Sequence, residues 1–82
     1  MAFYVYMLKC INDGVSKTYV GYTNNIPLRL SRHNSNKGAK TTKGYKWKVI
    51  YKKRFYDKRL AMSFEYKLKK DQKKRKYLLS VS

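Results

Sequence analysis

Four acidic residues, Asp13, Asp57, Glu65 and Asp71, stand among 21 lysines and arginines in this chain, and Glu65 is its only glutamate. In so positive a chain, a carboxylate at the border of a helix's apolar stripe is a candidate ligand for a divalent cation. Mg²⁺ suits a lone carboxylate because it keeps several waters and takes further oxygens from a phosphate-bearing substrate, and Mn²⁺ would serve in its place. The bland role for Glu65 is a surface ion pair with Lys69, four residues on in the favourable order and worth about 0.3 kcal/mol. A second group, Tyr6, Tyr19, Arg29 and His33, falls on three different expected elements. Hydrolysis of a phosphodiester needs a positioned water, an acceptor for its proton, and positive charge where the phosphorane becomes negative. Arg29 offers a planar fork that matches phosphate. A phenol of pKa about 10 needs roughly 4 kcal/mol to ionise at pH 7, a cost that a neighbouring cation and Arg29 would lower while His33 takes the proton onward. Taken singly, strand tyrosines commonly pack and a lone histidine commonly sits at the surface.

Those side chains need elements to carry them. Residues 3–8 form a near-continuous run of aromatic and aliphatic residues, which predicts a strand buried on both faces. Asn12, Asp13 and Gly14 supply turn chemistry, and residues 17–23 read as a second strand, giving an antiparallel hairpin. Alternation puts Tyr4, Tyr6 and Leu8 on one face of the first strand, and Tyr19 and Gly21 together on one face of the second. Thr23, Asn24 and Asn25 are good helix caps, and Pro27 fits a first turn, so a helix should run to about His33. On it Ile26 and Leu30 form the packing stripe, while Arg29 and His33 project together from the side that reaches out. Residues 35–46 hold glycines, threonines and lysines without periodicity and read as a loop, in which exposed Lys37, Lys40 and Lys43 could hold phosphate oxygens. Residues 48–55 give a third strand, enough for a sheet. Asp57 can cap a further helix whose apolar stripe is Leu60, Phe64 and Leu68, with Glu65 at its border. Beyond Lys69 a basic stretch turns apolar at Tyr77, Leu78 and Leu79, which suits a short last helix.

An 82-residue chain has room for one core, so a single domain is expected over residues 1–82, with a core at about 3–70 and a basic helix or tail at about 71–82. A formal charge of +17 with 43% hydrophobic residues describes a folding polycation, and its default partner is nucleic acid. Arg32, Lys70, Lys73 and Lys74 join the loop lysines as expected phosphate contacts. No run is long and apolar enough for a spanning helix, and the start of the chain lacks the pattern of a secretory signal. One cysteine and one histidine exclude an internal disulfide and a zinc cluster, which suits a reducing, cytoplasmic setting.

The pair Tyr4-Val5-Tyr6 and Tyr19-Val20-Gly21, on a hairpin, resembles the two signatures of the GIY-YIG nuclease family. Gly21-Tyr22-Thr23, Pro27-Leu28-Arg29-Leu30, Arg32-His33-Asn34, Gly38-Ala39-Lys40 and the stretch from Ala61 to Glu65 and Tyr66 continue the likeness across residues 3–70. It is most similar to small stand-alone bacterial members, which are like the nuclease domain of structure-specific repair endonucleases. The resemblance implies an α+β fold, a three-stranded antiparallel sheet flanked by helices. It also implies a metal-dependent endonuclease acting on DNA, branched or structured, in repair or recombination, with a protein partner available for targeting. On the family pattern Tyr6 and Tyr19 match the signature tyrosines, Arg29 the phosphate-steadying arginine, His33 a histidine that supports the base, and Glu65 the metal ligand. Tyr4 stands where the family's first signature has glycine, and no asparagine follows Asn36 to match one used downstream by some relatives. The alternative from another class is a basic nucleic-acid-binding module on the same fold that does not cut, whose affinity would need only charge.

Overall fold

The opening apolar run becomes the central strand of the sheet. In the computed structural model, which describes residues 2–81, the elements are β1 (Phe3–Cys10), β2 (Thr18–Thr23), α1 (Ile26–Asn34), a 3₁₀ turn (Lys40–Thr42), β3 (Trp47–Phe55), α2 (Lys58–Lys70) and α3 (Gln72–Ser80). The strands form one antiparallel sheet in the order β2-β1-β3, so the fold is α+β. Because β1 is flanked on both sides and covered on both faces, Val5, Tyr6, Met7 and Leu8 are all buried. That is the pattern its unbroken apolar character predicts.

Alternation divides the buried residues between two clusters, one on each side of the sheet. Val5, Met7 and Val20 meet Ala61, Leu68 and Leu78 from α2 and α3, with Phe3, Phe55 and Phe64 packed around them. Tyr6, Leu8, Cys10 and Trp47 form the other cluster, against Ile26 and Leu30 of α1 and Tyr19 of β2. The β1–β3 register slips between Met7 and Leu8, since Met7 faces Tyr51 while Leu8 faces Val49. Ile50 is the extra residue, and the bulge turns Ile50 and Tyr51 both toward the α2 side.

The helix ends follow local chemistry. The Asn25 side chain accepts from Leu28 N at 3.1 Å, and Pro27 sits in the first turn, where no N–H is needed. Asp57 accepts from Arg59 N at 2.8 Å and Asp71 from Lys74 N at 3.0 Å, so two of the four acids are helix caps. The capping aspartate at position 71 separates α2 from α3.

Three expectations change. The buried stripe of α2 is Ala61, Phe64 and Leu68 rather than Leu60, Phe64 and Leu68, because Leu60 is 59% exposed. At about 100° per residue, the helix is rolled toward its Ala61 side, where a methyl group permits close approach to β1 and β2. The same roll half-buries Glu65. Residues 35–46 are not featureless: they contain the Lys40–Thr42 turn and are tied by a 2.8 Å bond from Gly44 N to the Asn36 side chain. Asn36 supports this with a left-handed φ of 63°, which asparagine tolerates. Third, α1 keeps Arg29 and His33 turned inward with Ile26 and Leu30; Pro27, Leu28, Ser31 and Arg32 are its exposed residues.

Candidate active site

Tyr6 and Gly21 are cross-strand partners, as are Leu8 and Tyr19, so β1 and β2 bring both tyrosines to the same face. Their rings lie 6.3 Å apart, centroid to centroid. Gly21 makes that approach possible. A methyl group there would stand 2.7 Å from the Tyr6 hydroxyl oxygen and 3.0 Å from the Tyr19 ring, closer than carbon tolerates.

α1 lays His33 over the pair. It is 1% exposed, its ring 4.9 Å from Tyr19 and 6.1 Å from Tyr6. This is not the surface histidine that a lone imidazole usually is. The Tyr6 hydroxyl lies 3.0 Å from His33 Nε2, and the Thr42 hydroxyl 2.9 Å from Nδ1. The loop closes around the ring: a side chain on Gly38 would collide with His33 Nδ1 and stand 3.1 Å from its Cα. Asn34, next in the helix, anchors α1 to β3, accepting from Trp47 N at 2.7 Å and donating to Trp47 O at 3.2 Å.

Arg29 is half-buried one turn before His33. Burial raises the Tyr6 phenol well above its ordinary 10, Tyr19 raises it further, and the Arg29 charge and hydrogen bond oppose both; the Glu65 carboxylate also raises it. These influences place Tyr19, Arg29 and Glu65 within electrostatic reach of one hydroxyl. Burial, and then Arg29, hold the His33 pKa below 6.5, so its imidazole is neutral at pH 7.

Of the acids, Asp57 and Asp71 are caps and Asp13 is exposed in the β1–β2 turn, and Glu65 is the one whose charge reaches the Tyr6 hydroxyl, as the weakest of the influences on it. Its side chain is 17% exposed and lies 3.5 Å from Lys69 Nζ, so the ion pair expected of an ordinary helical glutamate is present as well. Among the described residues no three His, Cys, Asp or Glu side chains gather as a metal cluster. Any cation held here would share Glu65 with water and substrate oxygens.

The structure thus gathers Tyr6, Tyr19 and His33 with Arg29 bonded to Tyr6, while Glu65 on α2 acts on Tyr6 only through its charge. Arg32 is exposed and shares a shallow depression with Arg29, Asn24 and Asn25, and Lys37, Lys40 and Lys43 are exposed on the His33 loop. Lys70 and Lys74 belong elsewhere: Lys70 lies over Tyr66 at 4.4 Å and Lys74 over Phe64 at 5.0 Å, while Lys73 is exposed on α3. Residue patterns missed Thr42 and Lys52, the latter being the cross-strand neighbour of Tyr6 on β3; Gly38 entered only as part of the family likeness, not for its contact with His33. Lys52 was readable from strand alternation once the register was known; the Thr42 contact, nine residues from His33 across a loop, left no periodic signal.

Comparison with known proteins identifies the family. The family model described as the GIY-YIG catalytic domain matches residues 2–78. A UPF0213 protein of Oceanobacillus iheyensis is 45% identical over 67 residues, covering 80% of this chain and 74% of that protein. One of Bacillus licheniformis is 47% identical over 74 residues, covering 89% and 73% respectively. The solution NMR structure of a UPF0213 protein from Bacillus halodurans is 34% identical with a TM-score of 0.54, covering all of this chain and 86% of the other. The chain belongs to the GIY-YIG catalytic domain family, whose domain implies nuclease activity with DNA as substrate.

Proposed function

We propose that this protein is a divalent-metal-dependent DNA endonuclease in which Tyr6 and His33 carry the proton released by the attacking water. The observation that supports it most is the Tyr6 hydroxyl, bonded to a buried imidazole at 3.0 Å and lying within the fields of Arg29, Tyr19 and Glu65. A phenol whose pKa is raised stays protonated at pH 7, so Tyr6 is not a standing base. It acts by exchange: the water's proton reaches the Tyr6 oxygen as the phenol's own proton passes to His33 Nε2. A neutral imidazole can receive it, and burial keeps His33 neutral. Arg29 holds the phosphate oxygens and the charge that builds on them. Tyr19, against both rings, orients the water.

The donor set suits Mg²⁺ or Mn²⁺, a single shielded carboxylate with no cluster of His, Cys, Asp or Glu around it among the described residues, so that water and substrate oxygens would complete the shell. Glu65 would hold the ion, which when bound supplies positive charge to the phosphate and acidifies bound water. The Lys69 ammonium occupies the carboxylate otherwise.

DNA would lie over the exposed cations that border this face, Arg32, Lys37, Lys40, Lys43 and Lys52, with Lys70, Lys73 and Lys74 adding non-specific attraction. Branched or structured DNA, met in repair or recombination in the cytoplasm and brought by a targeting partner, suits a chain with no groove-reading motif of its own. No helix among the described residues is long and apolar enough to cross a membrane.

The test is a cleavage screen on end-labelled linear and branched DNA with Mg²⁺ and Mn²⁺. Glu65→Ala is expected to abolish nicking while DNA affinity stays equal or rises slightly, because a negative charge leaves a phosphate-facing surface. Cleavage that survives the substitution removes the metal role; absence of cleavage by the parent protein leaves the basic binding module instead.

A further inference from the structure

A buried histidine between two hydroxyls can adopt either of two tautomers, and which one decides the direction in which a proton can move. Thr42 breaks the tie. Its Oγ1 lies 2.8 Å from the Ala39 carbonyl oxygen and 2.9 Å from His33 Nδ1, and a hydroxyl has one proton to give. Two oxygens so close need a hydrogen between them, and a carbonyl has none, so Thr42 donates to Ala39. The threonine oxygen is then left as an acceptor, which makes His33 Nδ1 the N–H donor. Nε2 consequently presents its lone pair to the Tyr6 hydroxyl, and Tyr6 donates to it across 3.0 Å.

We infer that Thr42 is the positioning residue of this site: its hydroxyl holds His33 as the Nδ1–H tautomer, with Nε2 open to accept the Tyr6 proton. The threonine is itself firmly held. It is fully buried, its amide donates to Ala39 O at 3.0 Å, and its carbonyl accepts from Trp47 Nε1 at 3.1 Å. Gly38 lets the loop pass against the imidazole, so the hydroxyl reaches Nδ1 without displacing the ring. The catalytic consequence rests on the nuclease reading, whereas the tautomer rests on hydrogen-bond geometry alone.

The chain has one histidine, so long-range ¹H–¹⁵N spectra of the full chain without nucleic acid report this ring unambiguously. Above pH 7, Nδ1 is expected to resonate as a protonated nitrogen and Nε2 as an unprotonated one. Thr42→Val keeps the side chain's shape and removes its hydroxyl. The buried ring then gains by moving its proton to Nε2, where the Tyr6 oxygen can accept it. The expected result is that tautomer switch, with kcat for DNA cleavage lowered about 10–100-fold and KM unchanged, the scale seen when a partner that orients a functional histidine is lost. Thr42→Ser should restore both readouts. If the valine variant does not fold, as judged by its amide spectrum, the parent tautomer and the serine variant decide. A parent ring protonated at Nε2, or a valine variant that keeps the Nδ1 proton and full kcat, overturns the inference. A parent protein with the expected tautomer that cuts no DNA overturns the nuclease reading and leaves the hold of Thr42 on His33 intact.

Discussion

On the α2 and α3 side of the sheet, Val5, Met7, Val20, Ala61 and Leu68 meet through apolar contact alone. On the α1 side, Tyr6, His33, Thr42 and Trp47 are comparably buried, yet each has a polar side-chain atom bonded. One strand feeds both faces with alternate residues. The first face depends on volume, and hydrophobic burial is non-directional. The second depends on angles and distances, since an unpaired buried polar group costs about 1–3 kcal/mol. Apolar packing is therefore concentrated on the first face and the Tyr6–His33–Thr42 hydrogen bonds on the second, although α2, which packs the first face, also carries Glu65.

The largest expected effect on stability lies on the apolar face. Leu78→Ala, in the same apolar cluster but on α3 rather than on the helix of Glu65, should cost about 2–5 kcal/mol in urea unfolding, as large-to-small core changes do, while the protein that remains folded keeps its cleavage rate. A rate that fell with the fraction folded held constant would break the distinction between faces. Gly21→Ala sharpens it from the other side. The added methyl meets the Tyr6 hydroxyl at 2.7 Å, so about 1–3 kcal/mol of stability is expected to go while cleavage drops about 100-fold, the scale of misplacing a reacting group by 1 Å. A variant that cut normally would show that the two tyrosines need no fixed approach.

The smallest effect is a pH dependence. The folded-state pKa of His33 lies below its ordinary 6.5, so the unfolded chain takes up this proton first as pH falls. The stability that neutral His33 contributes is present in full above about 6.5 and is lost as pH falls through the folded value. With one histidine in the chain, the stretch between pH 7 and pH 5 reports largely on it. A flat unfolding free energy across that window would mean that the buried ring charges as readily in the folded protein as in the unfolded one.

Much of this was legible in residue order, for reasons that differ by region. β1 and β2 announce themselves by apolar runs around turn residues, and alternation grouped Tyr6 with Leu8 and Tyr19 with Gly21; the register that sets Tyr6 opposite Gly21 and Leu8 opposite Tyr19 came from the structure. Asn25 and Asp57 were readable as caps because their side chains act on amides two or three residues away. What failed were matters of rotation and distant closure. Periodicity gives the existence of a stripe on α2, but the choice between Leu60 and Ala61 depends on how closely β1 and β2 admit the helix. His33 looked outward because nothing in α1 shows that residues 35–46 fold back to cover it. The roles of Tyr6, Tyr19, Arg29, His33 and Glu65 came from resemblance to a family, and the geometry adds their convergence.

The bulge at Ile50 has a consequence for the molecule's company. Among the described residues β3 is a sheet margin, with β1 on one side and no strand on the other. Its Lys48, Lys52, Lys53 and Arg54 are exposed, and the slipped register interrupts the regular ladder that a second copy would need to dock on. Like charges and a broken template together discourage the open-ended strand addition by which unprotected margins grow into fibres.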